Sequence, residues 1–375
     1  MAKVTFDNSN NQFFQSLKTS VDQYFEQHNI RKTGDWRLFS KTIILLASAF
    51  TIYFVLIFMK DALPTWAAIT LCALLGYNFA CIGFGVMHDA NHGSYCTIPW
   101  LNDLIGLSAN LLGANAFFWK QKHNILHHTY TNVDGLDDDI AKSPIIRQCI
   151  SQKWVPAHRV QHLYLPFIYS LSSIFWIFFM DFTKYFTRMI YTTEAWKLSL
   201  KNHLIFWGTK VWYISVYMVI PAMVWGVLPW LAGFFILNAA MGLTLSFVFQ
   251  LAHVVENTEF ETVALDETKH IESAWAEHQL KTTSNFAMDN KVISWFVGGL
   301  NFQVEHHLFP KISHVHYPAI SKIVMEKCKE FHIPYNKYDT MSEALASHFR
   351  IMKYLGQNPP SAVKNTTTTT HVQAA

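Results

Sequence analysis

From Ile43 to Met59 the chain is apolar at every position except Ser48 and Thr51, and after a break at Lys60, Asp61 and Pro64 a second apolar run extends from about Trp66 to Met87. Each run approaches the roughly 20 residues that an α-helix needs to cross a ~30 Å hydrocarbon core. The pattern predicts a transmembrane hairpin over 43–59 and 66–87. It recurs downstream, where Leu204 to Gly226, a break at Leu228 and Pro229, and Trp230 to Ala252 predict a second hairpin over 204–226 and 230–252. Lys210 lies within two turns of the start of that hairpin, where its stem can snorkel to the membrane surface. The stretch 163–182 is nearly as apolar but carries Pro166, serines and flanking charges. With an even number of spans already counted, it reads as an interfacial or re-entrant helix. Ahead of the spans, Phe13, Phe14, Leu17, Val21, Tyr24 and Phe25 recur at helical spacing and predict an amphipathic helix against protein or membrane.

Charge fixes an orientation for these hairpins. Lys18, Arg31, Lys32, Arg37 and Lys41 precede the first, Lys120, Lys122, Lys142, Arg147, Lys153 and Arg159 lie between the two, and Lys269, Lys291, Lys311, Lys322, Lys327 and Lys329 follow, against Lys60 alone on the other side. The positive-inside rule then puts both termini and the central segment in the cytoplasm. The chain divides into an N-terminal cytoplasmic segment (1–40), a membrane domain (41–340) and a cytoplasmic tail (341–375), whose Thr366 to Thr370 run predicts a disordered end.

Composition agrees with a membrane solvent. The 375 residues are 51% hydrophobic and only 15% charged, where soluble domains carry about a quarter charged residues. The mean hydropathy is +0.14. A net charge of +3 without a basic run argues against nucleic acid. Cys72, Cys81, Cys96, Cys149 and Cys328 have no Cys-x-x-Cys spacing, which excludes a zinc ribbon or an iron–sulfur cluster. The N-terminus lacks the basic and apolar regions of a cleaved signal peptide.

Histidine carries the chemistry. Of 19 histidines, His88 and His92 directly follow the second run, His123, His127 and His128 (HNILHH) lie in the central segment, and His306 and His307 (QVEHH) lie near the end. Positions i and i+4 of a helix share a face, so each box can aim two rings at one point. Imidazole suits zinc, copper, iron and nickel, whereas calcium and magnesium take oxygen. Seven rings are too many for one metal, and two irons is the arrangement that activates dioxygen. A carboxylate-bridged alternative needs two Glu-x-x-His pairs, and the chain has only Glu267 with His270. His28, His158, His162, His203, His332, His348 and His371 read as ordinary hydrogen-bonded residues. His278, His314 and His316 stand closer to the boxes and are candidates to support them.

HDANHGSY, WKQKHNILHHTYTN and NFQVEHHLFP, in this order between two hairpins, resemble the three histidine boxes of the membrane fatty acid desaturases over residues 30 to 340. The resemblance implies an all-α integral membrane protein, four transmembrane helices in two hairpins with a cytoplasmic helical cap holding a di-iron site, in a bacterial inner membrane. Gln303 resembles the third-box variant of front-end desaturases, of delta-6 or delta-5 type, and of bacterial acyl desaturases. In the second box three residues separate His123 from His127 where two are commoner, and the fused b-type cytochrome domain of many front-end members is absent. Histidine-rich desaturases take a further ligand from the end of the fourth span, which points to His253 beside the seven boxed rings. Asp89, Gln303, Glu305 and Asp139, the last with Asp137 and Asp138 beside it, are the candidates to orient the outward N–H groups of these ligands.

The activity so implied is insertion of a cis double bond into a fatty acyl chain, on coenzyme A or on a lipid, using dioxygen and two electrons. No G-x-G-x-x-G fingerprint is present, so the electrons come from outside, from a ferredoxin or a b-type cytochrome with its reductase. The expected dock is the basic face near Lys120, Lys122, Lys322, Lys327 and Lys329. The same residues also allow a hydroxylase or ketolase of an alkane, sterol or carotenoid, a zinc-dependent membrane hydrolase, and a metal transporter. The transporter is disfavoured because its histidines belong within the bilayer rather than at its edge.

Overall fold

The computed structural model describes residues 3–7, 9, 11–140, 144–263 and 268–359. The threonine-rich tail, His371, Lys142 and Glu267 lie outside the described residues. The described chain is mostly helical, with four short two-stranded ladders and no barrel. Five of its helices are long and apolar enough to cross a membrane: Trp36–Phe58, Thr65–His92, Pro156–Thr187, Leu200–Trp225 and Val227–His253. Four correspond to the runs read from the sequence. The second continues past the apolar run through the whole first histidine box, because nothing in HDANH breaks a helix before Gly93, whose φ is 74°.

The helix Pro156–Thr187 adds a fifth candidate, with a mean hydropathy of 1.7. Its polar positions suggested an interface, yet they are used inside the protein. Ser173 Oγ donates to the Asn238 carbonyl at 2.8 Å, Ser172 Oγ to the Gly242 carbonyl at 3.1 Å, and Asp181 takes Lys210 at 2.9 Å. Lys210 accordingly does not snorkel. It is buried, and its ammonium donates to the carbonyls of Gly113 and Ile177 as well as to Asp181, so all three donors are met internally.

The last helix of the second hairpin packs on Thr65–His92 so closely that a Cβ on Gly76 would stand 2.0 Å from the Leu237 carbonyl oxygen. The N-terminal amphipathic helix, Gln12–Gln27, lies against protein. It buries Phe13, Leu17, Val21 and Phe25 in one cluster with Ile320, Val324 and Cys328, each apolar side chain contributing about 1.5–3 kcal/mol. Before it, Lys3–Phe6 pairs in parallel with Thr268–Ile271, a strand too short to show in the periodicity.

The C-terminal helix Met341–Gln357 is held by the buried Arg147, whose guanidinium donates to the carbonyls of Gln152, Leu355, Asn358 and Ile150. On that helix His348 Nδ1 lies 2.7 Å from the carbonyl of Val254. It thereby fixes the exit of the helix that ends at His253.

Candidate metal centre

Two π-helical turns set the first two boxes. Gly83–Met87 precedes His88, and Gln121–His127 spans the second box. Such wide turns recur at functional sites. In an α-helix His128 would point away from His123, but i→i+5 hydrogen bonding opens the turn so that positions i, i+4 and i+5 share a face. His127 and His128 both reach the side of His123, which the expected α-helical face would give only to His127. The third box is the short helix Gln303–Leu308, preceded by Gly298 and Gly299 at φ of 60° and 68°. A Cβ on Gly298 would stand 2.5 Å from the Phe84 carbonyl carbon and 2.6 Å from the Gly85 nitrogen. Boxes one and three therefore meet backbone to backbone.

These elements bring together all eight histidines singled out from the sequence, each no more than 8% exposed. Ligand-capable nitrogens of His88, His92, His123 and His306 lie within 4.8 Å of one another. So do those of His127, His253 and His307, and His128 joins His306 and His307 in a third set. His253, outside the boxes, has its ring centroid 4.7 Å from that of His127 and 4.9 Å from that of His307. Asp139 offers an oxygen near His123 and His127.

The donors fit a transition metal. Nε2 of His92, His127, His306 and His307, Nδ1 of His128 and both nitrogens of His253 are buried without a hydrogen-bond partner. Nε2 of His123 faces Nε2 of His88 at 3.1 Å and Nε2 of His128 at 3.3 Å. Leaving a buried polar atom unpaired costs about 1–3 kcal/mol, and six rings with such atoms converging on one region call for a cation. A donor set dominated by imidazole suits zinc, copper, iron or nickel. Trp119, stacked on His123 at 4.4 Å, and Phe249, 4.7 Å from His253, wall the region with apolar rings.

Several outward ring nitrogens find partners that the sequence did not single out. His307 Nδ1 lies 2.9 Å from Gln279 Oε1 and 3.1 Å from Thr131 Oγ1, and His306 Nδ1 lies 3.1 Å from the Tyr317 hydroxyl. His127 Nδ1 lies 2.9 Å from Asp137 Oδ2, while Asp139 is 3.9 Å away and holds Lys122. The Asp89 carboxylate takes Ser313 Oγ at 2.6 Å and lies 3.0 Å from His314 Nδ1. Glu305 takes Tyr335 and Asn285, and burial pushes its carboxyl up to about 7. Gln303 is buried beside the boxes. His278 Nε2 lies 2.8 Å from the Thr131 carbonyl and His316 Nε2 3.1 Å from the Thr33 carbonyl, so both brace backbone. Lys122, counted with the basic docking face, is only partly exposed and is paired with Asp139 at 2.5 Å, so it is poorly placed to meet a partner.

Burial first, then the charge of neighbouring rings, holds His123, His128, His306 and His307 well below the ordinary imidazole pKa of 6.5. At neutral pH the metal-free rings are neutral and ready to bind. Below about 6.5 the unfolded chain takes up protons that the folded chain refuses, so stability falls with pH. Chelator-stripped protein is expected to melt at least about 2 °C lower near pH 5.5 than near pH 7.5, and equal or higher melting at the lower pH would contradict this.

A family model described as fatty acid desaturase matches residues 64–339. A sn-1 linoleoyl-lipid 6-desaturase of Arthrospira platensis is 36% identical over 96% of this chain and 96% of its own length. An acyl-lipid (8-3)-desaturase of Physcomitrium patens is 35% identical over 93% of this chain and 73% of its own length. A sn-1 linoleoyl-lipid 6-desaturase of Synechocystis is 32% identical over 92% of this chain and 96% of its own length.

Proposed function

This chain belongs to the fatty acid desaturase family and is a multi-pass membrane acyl desaturase, and from that premise we propose that it inserts a cis double bond at the sixth carbon of a lipid-linked acyl chain of the linoleoyl class. The two 6-desaturases that cover nearly its whole length support this position and carrier. The (8-3)-desaturase supports action on an acyl-lipid, toward the carboxyl end. Hydroxylation or ketolation of an alkane, sterol or carotenoid and zinc-dependent hydrolysis are not favoured by these relatives.

The observation that carries the reading is the convergence of His88, His92, His123, His127, His128, His253, His306 and His307, with their unpaired nitrogens, on one buried region. In this proposal these residues hold two irons, the first by His88, His92, His123 and His306, the second by His127, His253 and His307, with His128 between them. Two bound irons supply the reductive activation of dioxygen that strips two hydrogens from adjacent methylenes. The protein's part is to orient the rings through Asp137, Gln279, Thr131 and Tyr317 and to keep water out with Trp119 and Phe249. Electrons arrive from a separate ferredoxin or b-type cytochrome.

The same convergence supports a four-span topology. His127 meets His253, so an even number of crossings separates them, although three apolar helices lie in that interval. Leu200–Trp225 and Val227–His253 form the crossing pair, and Pro156–Thr187 returns to the side it left. Four spans, with the metal centre and both termini on the cytoplasmic side, agree with the lysine distribution.

The test is expression in a host lacking desaturases, followed by fatty-acid profiling of the lipids with double bonds located by chemical derivatisation. A new double bond at the sixth carbon of linoleoyl lipid is expected. Hydroxylated products, or an unchanged profile with the protein folded in the membrane, would overturn the reading.

A further inference from the structure

The outward partners of the histidines differ in charge. His307 and His306 meet neutral groups, namely Gln279, Thr131 and Tyr317. His127 alone has a carboxylate on its outward nitrogen. Asp137 is fully buried, and besides His127 its oxygens accept the backbone N–H of Asn132 and of Asp139, both at 2.9 Å. No lysine or arginine among the described residues pairs with it, whereas the adjacent Asp138 and Asp139 hold Lys184 and Lys122.

Burying a carboxylate is costly, and among the described residues its N–H donors and the nearby charge of Lys122 offset only part of the cost. The remaining compensation lies across the imidazole, at the unpaired Nε2 of His127. A carboxylate on the Nδ1–H makes the opposite nitrogen a stronger donor. Among the described residues the other carboxylates near the boxes have other partners, Asp89 taking Ser313, Glu305 taking Tyr335 and Asn285, and Asp139 taking Lys122.

Building on the two-metal reading, we infer that Asp137 makes the metal positions unequal, so that the position formed by His127, His253 and His307 binds its ion more tightly than the one formed by His88, His92, His123 and His306. Asp137 is a positioning residue that acts through His127.

The experiment is titration of the metal-free, detergent-purified protein with cobalt(II), read by visible absorption against a competing chelator. Wild type should bind two equivalents of unequal affinity. Asp137→Asn leaves an acceptor for His127 and removes the charge, so it should weaken the tighter equivalent about 10- to 100-fold and leave the weaker one within about twofold. Should that variant fail to fold, two others decide the matter, since His253→Ala should delete the tighter equivalent and His92→Ala the weaker. Equal affinities in wild type, a like weakening of both equivalents in Asp137→Asn, or loss of the tighter equivalent in His92→Ala would overturn the inference while leaving two metals in place. Fewer than two equivalents in wild type would overturn the two-metal reading and the inference with it.

Discussion

Replacing His307 with alanine is expected to leave a folded protein that retains about one iron rather than two and forms at least about a hundredfold less product. The ring stands at the join of the centre. It contributes to the set with His127 and His253 and to the set with His128 and His306. Its Nδ1 is fixed by Gln279 and Thr131, so its Nε2 is aimed inward with no other partner. Losing a ligand outweighs losing its outer partner, which alone typically costs 10- to 100-fold. His253→Ala should behave alike, because Nδ1 and Nε2 of His253 are both unpaired and its neighbours are His127 and His307. Iron counted against protein, together with the acyl profile, checks both. Two irons and near-normal desaturation in His253→Ala would reduce that residue to an interfacial helix end.

Gly298→Ala should be nearly as damaging, although the residue touches no histidine. Its φ of 60° already disfavours any side chain, at about 1–2 kcal/mol. The added carbon would also meet backbone atoms of Phe84 and Gly85 at 2.5 and 2.6 Å. Backbone cannot swing aside as a side chain can, so boxes one and three must separate. A displacement near 1 Å costs about a hundredfold in rate. Gly93 is the internal control. It has a φ of 74° but nothing within 4 Å of an added Cβ, so Gly93→Ala carries the conformational cost alone, about 1–2 kcal/mol, and should keep most activity. Thermal melts and product formation for the two variants, side by side, test the distinction. Equal, mild effects would show that the contact between the boxes is not needed.

The histidine centre was legible because its signal is chemical and local, three clusters of one residue type at the ends of apolar runs. The spans were legible for the same kind of reason, since a membrane demands unbroken apolar length. What escaped depends on contacts between distant segments. Asp137, Asp138 and Asp139 look alike in the sequence, and only the fold separates the one on His127 from the two on Lys184 and Lys122. Gln279 and Tyr317 carry no motif, and they matter because separate helices set them against His307 and His306. Lys122 and Lys210 are surface-like by type but find carboxylates inside the protein. The serines and Asp181 of Pro156–Thr187 have no visible role in the sequence, because their partners Gly242, Asn238 and Lys210 lie on other helices. The π turns leave no trace in a helical periodicity, yet they bring His128 to the face of His123.

In the proposed centre, eight histidines from the three boxes and from the end of the helix Val227–His253 together hold two irons. The most direct measurement is metal analysis of the purified wild-type protein, loaded with ferrous iron without oxygen and freed of excess. The account predicts about two irons per chain, falling toward one in His307→Ala and in His253→Ala. One metal ion per chain, unchanged by either substitution, would contradict it.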